Sequence, residues 1–276
     1  MKNLSDIMHG YDAFLIDLWG VMHDGTQLYP GAGAALAALH AAGRPVVFLS
    51  NAPRQATKAI ATLDRLGVPR THYHALITSG QIAHDRLKAE TVSGQRRYYY
   101  LGPSKDEDIL ADLEHYIEVN TPQEADFVLN TGYEVDFQPH NEILPTLEKL
   151  LAAKLPLLCV NPDLEVVKQD GTEMLCAGSV AAEYERMGGA VTYIGKPHAN
   201  AFAAALGALP GGTATGRVLM IGDNPATDIA GAKAAGIDSL LITGGVLKVK
   251  HGKILSETEA RQICPAATHI LPAFSG

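Results

Sequence analysis

Ala13-Phe14-Leu15-Ile16-Asp17-Leu18-Trp19-Gly20-Val21 is the stretch that decides how this chain is read. Four apolar residues in a row, closed by a polar one, have the length of a short buried strand. A carboxylate directly after such a strand sits where open α/β sheets keep their chemistry, at the carboxyl ends of the strands. The pattern recurs downstream, where Val218-Leu219-Met220-Ile221 delivers Gly222-Asp223-Asn224-Pro225-Ala226-Thr227-Asp228. Two more apolar runs end on polar groups: Val46-Val47-Phe48-Leu49 before Ser50-Asn51, and Val191-Thr192-Tyr193-Ile194-Gly195 before Lys196. Four such stations predict one site assembled from distant segments.

Composition narrows the class. The 276 residues are 47% hydrophobic and 19% charged, which suits one large globular domain or two modest ones and excludes extensive disorder. The net charge of −8 excludes backbone-driven nucleic-acid binding. A cleft for an anionic substrate must then be locally positive, through a metal, a lysine or backbone amides. Cys159, Cys176 and Cys264 are widely spaced, which suits reduced thiols in a cytoplasm rather than a disulfide framework. The N-terminus carries no apolar signal core and no run reaches the length of a membrane span, so a soluble cytoplasmic protein is expected.

Along the chain, strands are expected at 13–18, 45–49 and 75–78, with helices at 33–42, 55–66 and from Ser79-Gly80 onward. A second set follows: strands at 97–101, 126–129 and 157–160, and helices at 142–153 and 179–187. The first pattern then returns with 199–206, 217–221, 229–235 and 239–242. Strands alternating with helices of this length predict a parallel sheet covered on both faces. The expected division is a discontinuous core, 1–80 plus 188–276, with an α/β cap inserted at 81–187.

The four stations in this order resemble the haloacid dehalogenase superfamily of phosphohydrolases. Asp17 to Gly25, then Pro30-Gly31-Ala32, Asn161-Pro162-Asp163, Ala177-Gly178-Ser179 and Tyr193-Ile194-Gly195-Lys196-Pro197 are similar to its large-capped 4-nitrophenyl phosphatase and sugar- or nucleotide-phosphatase subfamily. The resemblance spans nearly the whole chain. It implies a Rossmann-like, doubly wound core with an α/β cap, Mg2+, a small phosphorylated metabolite as substrate, and a tendency to dimerise. Asp17 is then the nucleophile, forming an aspartyl-phosphate that water hydrolyses. Carboxylates facing a phosphate require a cation, and Mg2+ takes hard oxygen ligands. Asp17 and Asp223 fit as side-chain ligands, and the resemblance makes the backbone carbonyl of Trp19 the third. Asp228 is expected beside the metal or holding Lys196, or as a carboxylate favoured at a helix start. Lys196 is expected to face the phosphoryl oxygens, Ser50 and Asn51 to hold a phosphate oxygen, and Asp163 to lie in the cap's substrate-facing loop. Arg54 reads more readily as a solvated helix-start arginine than as an anion ligand.

One position departs from the pattern. Where the resembling phosphatases carry a second Asp that protonates the leaving alcohol, this chain has Trp19, whose indole has no acid strength. Losing a general acid forfeits roughly 10²–10⁴-fold in rate. Three alternatives stay open: His23, Asp24 or a cap residue substitutes, the leaving group needs no proton, or the site binds without turnover. Dehalogenases of the superfamily also carry an aromatic residue there, which keeps carbon–halogen hydrolysis in play, although they do not need Asp223. His72 and His74 read as a loop pair rather than a metal site, and Tyr98-Tyr99-Tyr100 as strand packing.

Overall fold

The computed structural model describes residues 3–91, 94–135 and 139–275; residues 1–2, 92–93, 136–138 and 276 of the expected segments lie outside the described residues. The strands run, in chain order, β1 Ala13–Ile16, β2 Val46–Ser50, β3 Ala75–Thr78, β4 Arg96–Leu101, β5 Tyr116–Val119, β6 Phe127–Asn130, β7 Leu157–Cys159, β8 Glu165–Val167, β9 Glu173–Leu175, β10 Val191–Tyr193, β11 Val218–Gly222, β12 Asp238–Ile242 and β13 His269–Leu271.

Six of them form one parallel sheet in the order β13-β12-β11-β1-β2-β3. Every residue of β1 is buried because both faces of this sheet are covered, which is why its sequence does not alternate. The two-residue period survives in the packing. Phe14 and Ile16 join Leu36, Leu39 and Leu63 of helices Ala32–Ala41 and Ala56–Arg65. Ala13 and Leu15 face Ala201, Phe202 and Ala232 of helices Ala199–Gly207 and Ala230–Ala234. From β1 the chain works outward through β2 and β3, while β11, β12 and β13 work outward on the other side. The strand order therefore reverses between β1 and β11, and a doubly wound sheet opens a crevice at such a point. There Ile16 pairs with Ile221, and the Asp17 N–H donates to the Ile221 carbonyl at 2.9 Å. Register alone sets two acidic strand ends side by side.

The second sheet, β10-β7-β6-β4-β5, is also parallel, and β8 and β9 make a separate antiparallel hairpin. The expected boundary at 188 puts β10 with the first sheet. Instead Val191 pairs with Leu157, because the chain leaves β7, makes the β8–β9 hairpin and returns through helix Ala177–Arg186, a crossover that lays β10 parallel beside β7. The helix expected at 142–153 is a 3-10 turn, His140–Ile143, followed by α-helix Leu144–Ala152 with Pro145 in its first turn, where a missing N–H costs no bond. Tyr98 packs against Phe127 at 6.0 Å between ring centroids, and Tyr100 donates to the Pro103 carbonyl at 2.8 Å, so the tyrosines serve the second sheet's packing. Among the described residues no helix is long and apolar enough to cross a membrane.

Candidate active site

Asp17 follows β1, Asp223 follows β11, and Asp228 lies in the π-helical turn Pro225–Ile229 just beyond. One carboxylate oxygen from each lies within 4.8 Å of the others, the one group of three or more candidate metal ligands among the described residues. Lys196 reaches in from the loop after β10 and donates to Asp17 Oδ1 at 2.6 Å and to Asp228 Oδ1 at 2.7 Å. The second Asp228 oxygen accepts from the Asn224 N–H at 3.1 Å. Three buried carboxylates thus face one buried ammonium. Burial and the neighbouring carboxylates hold the Asp17 carboxyl well above its usual range, and the same causes push Asp223 up to about 7. Burial pulls the Lys196 ammonium down, but Asp17, Asp228 and Asp163 outweigh it and raise its pKa. The cluster carries more negative charge than its own lysine balances.

The backbone closes tightly on this charge. Gly20 has φ +84, and a Cβ there would stand 2.1 Å from Asp223 Oδ2, so the peptide after Trp19 abuts that carboxylate. On the other side the Val246 N–H donates to Asp223 Oδ2 at 2.6 Å, and a Cβ on Gly245 would meet the same oxygen at 2.0 Å. Gly245 and Val246 are absent from the sequence reading. Their signal is the glycine pair Gly244-Gly245 that closes the run Leu240-Leu241-Ile242.

Ser50 Oγ accepts from the Ala52 N–H at 3.2 Å, a bond that does not use its hydroxyl hydrogen. Asn51 differs from expectation. Its Nδ2 donates to Asp163 Oδ1 at 2.9 Å and to the Lys196 carbonyl at 3.0 Å, and its Oδ1 accepts from the Lys196 N–H at 2.7 Å. Both amide hydrogens are engaged, so the side chain braces the Lys196 loop and is not free for a phosphate oxygen. Asp163 stands at this seam; burial pushes its carboxyl up to about 6 against the opposing pull of Lys196 and Asn51. Arg54 is not simply solvated, since its Nε lies 3.1 Å from Asp106 Oδ1. A cavity of about 480 Å³ opens over the cluster, with Asp17, Trp19, Ser50, Asp163, Val167 and Asp223 in its wall. Elsewhere His72 stacks on His40 at 4.6 Å, and the three cysteines are free and buried.

Two of the stand-ins for the missing carboxylic acid are now defined. His23 Nδ1 accepts from the Gly25 N–H at 2.9 Å, and burial lowers its pKa to about 4, so it is neutral at pH 7. Burial would raise the Asp24 carboxyl, but the donors of Thr26, Gln27 and Gln169 outweigh it and hold it low. Neither offers an acidic proton near neutrality. The His23 shift carries a signed consequence. Its folded pKa lies below the unfolded value of 6.5, so its contribution to stability is complete above pH 6.5 and is lost as pH falls toward 4. The drop in melting temperature between pH 6.5 and 4 is expected to be smaller in His23→Gln than in the wild type, the difference corresponding to about 3 kcal/mol. Parallel melting curves for the two proteins would refute the buried neutral imidazole.

Comparison with known proteins identifies the family. A family profile described as haloacid dehalogenase-like hydrolase matches residues 14–115, and one described as HAD-hydrolase-like matches residues 193–269. A crystal structure of a haloacid dehalogenase-like family hydrolase from Brucella suis 1330 is 31% identical, superposes with a TM-score of 0.86 and covers 99% of both chains. The chain belongs to the haloacid dehalogenase-like hydrolase family. Its curated relatives include the 5'-nucleotidase YutF of Bacillus subtilis (strain 168), 27% identical over 254 residues, 88% of this chain and 91% of that one. The sugar-phosphatase AraL of the same organism is 27% identical over 243 residues, 85% and 84% of the two chains.

Proposed function

We propose that this hydrolase is a Mg2+-dependent phosphoric monoester hydrolase of a small sugar or nucleotide phosphate, working through an aspartyl-phosphate on Asp17. The observation that carries the reading is the carboxylate cluster held by Lys196 at the floor of the cavity. The relatives named as a 5'-nucleotidase and a sugar-phosphatase support the same reaction class. Halide displacement, the competing reaction, has no use for Asp223.

Clustered hard oxygens and an excess of negative charge fit Mg2+. Asp17, Asp223 and the Trp19 carbonyl would hold the ion, with Asp228 orienting Lys196. When bound, the ion neutralises the carboxylates and draws phosphoryl oxygens toward Asp17. Asp17 attacks phosphorus, forming its O–P bond as the ester P–O bond breaks and the electron pair leaves with the alkoxide. Water then attacks phosphorus, releasing inorganic phosphate and restoring the carboxylate. Lys196 steers Asp17 and opposes the charge on the transferring oxygens, Ser50 offers its hydroxyl to one of them, and Asn51 keeps Lys196 in place. In this reading the six-stranded unit carries the chemistry. The second sheet is the cap that selects the ester group through Asp163 and its neighbours, and the return to the core falls after Tyr193.

Metal titration tests it. Mg2+ at 100 times its dissociation constant should stabilise the wild type by about 2.7 kcal/mol, or roughly 5–10 °C in melting temperature. Asp223→Asn removes a buried charge that receives only a backbone donor, so the metal-free variant should melt no lower than the wild type. It should also lose the Mg2+ response. An undiminished Mg2+ shift in that variant would place the ion elsewhere.

A further inference from the structure

Trp19 occupies the position where the resembling phosphatases have a carboxylate, and its polar atom is committed to another segment. The indole Nε1–H donates at 2.7 Å to the carbonyl of Val167, the last residue of β8. The hairpin bearing Val167 meets the six-stranded unit at two further points. Lys250 Nζ lies 2.7 Å from Glu165 Oε1, and the Gln169 backbone N–H bonds to the Asp24 carboxylate. A hairpin of two three-residue strands has little stability of its own in water. Its position therefore depends on what fastens it. Val166, Val167 and Lys168 from this hairpin form cavity wall in common with Asp17, so a shift of β8 changes the space above the nucleophile.

The two side-chain fastenings, Lys250–Glu165 and Trp19–Val167, are unequal. Lys250 and Glu165 are an ion pair with side chains 48% and 27% exposed, a kind of contact that contributes little. Trp19 is half-buried, and its ring is fixed from the far side: a Cβ on Gly25 would stand 2.9 Å from its Cζ3. A short N–H···O bond from a ring that packing holds in place is the stronger constraint.

We propose that Trp19 is a positioning residue whose N–H clasps the β8–β9 hairpin onto the nucleophile loop and so fixes the cavity wall against which the substrate's ester group rests. The clasp itself stands on geometry; its kinetic consequence rests on the phosphatase reading. The position that elsewhere handles a proton here sets the fit of the substrate.

Trp19→Phe keeps the ring and deletes the donor. Amide hydrogen exchange over residues 165–175 should accelerate by about three- to tenfold, the range one neutral hydrogen bond accounts for. With 4-nitrophenyl phosphate and Mg2+, KM should rise by a similar factor while kcat stays within about twofold. Unchanged exchange in a folded Trp19→Phe overturns the clasp, and a fall in kcat at constant KM overturns the positioning role. If the wild type hydrolyses no phosphate ester, the phosphatase reading fails while the exchange result still judges the clasp. A second measurement covers a variant that does not fold. Trp19 is the sole tryptophan, so in Lys250→Ala its fluorescence reports the hairpin directly. Quenching by acrylamide equal to that of the wild type supports the clasp, because the bond to Val167 is intact and holds the hairpin without the ion pair, and greater quenching overturns it.

Discussion

Asp17→Asn should abolish turnover of 4-nitrophenyl phosphate in Mg2+, by about 10³-fold or more, because an amide cannot form and release an acyl phosphate. The substitution is nearly isosteric, and its amide oxygen can still accept from Lys196, whose second bond to Asp228 is untouched. Loss of folding is therefore not the expected cause of inactivity. The substitution also removes a charge that burial and the nearby Asp228 and Asp223 carboxylates disfavour in the metal-free protein. Its metal-free melting temperature should consequently hold or rise, the usual direction when a strained functional charge is removed. Beryllium fluoride with Mg2+ mimics an acyl-phosphate, so it should inhibit and stabilise the wild type and leave the variant unaffected. Full turnover in a folded Asp17→Asn would assign the nucleophile to another residue.

What could be read from sequence follows the range of the interactions involved. β1, β2 and β11 are legible because a strand covered on both faces must be apolar throughout, and that demand is local. The approximate placing of Asp17, Asp223 and Lys196 at strand ends follows from the same runs. The hairpin β8–β9 carried its own signal, Asp170-Gly171 between β-forming residues, with Gly171 at φ +89 closing the turn. β5 and β13 are too short to show a period. The tasks of Asn51 and Trp19 lie beyond any local pattern, since their partners Lys196 and Val167 stand 145 and 148 residues away. A strand-end Asn before a turn looks the same whether it binds phosphate or braces a lysine loop. Only the packing of the second sheet against the first decides between those uses.

Trp19→Asp should raise kcat for alkyl phosphates by about ten- to hundredfold, because it returns a carboxylic acid to the point where the alkoxide departs. The neighbours make room for such a gain: His23 is neutral with its pKa lowered to about 4, and Asp24 is held ionised by its donors. The new carboxyl would lie near Asp17 and Asp223, and their charge would push its pKa upward, toward the protonated form an acid needs. 4-Nitrophenyl phosphate should gain much less, since its phenolate leaves without a proton. The variant also loses the bond to Val167 and leaves a cavity where the indole stood, so KM should rise for both esters. The comparison is accordingly made in kcat across leaving groups of graded pKa. A weaker dependence on leaving-group pKa than in the wild type is the expected signature. Equal changes for the two esters in a folded variant would count against proton donation as the missing step. If both kcat values fall while Mg2+ still raises the melting temperature, the carboxylate has only damaged the cavity wall. Trp19 would then be required for a substrate whose leaving group departs unprotonated, and the deficit in acid catalysis would be a property of the reaction rather than of the enzyme.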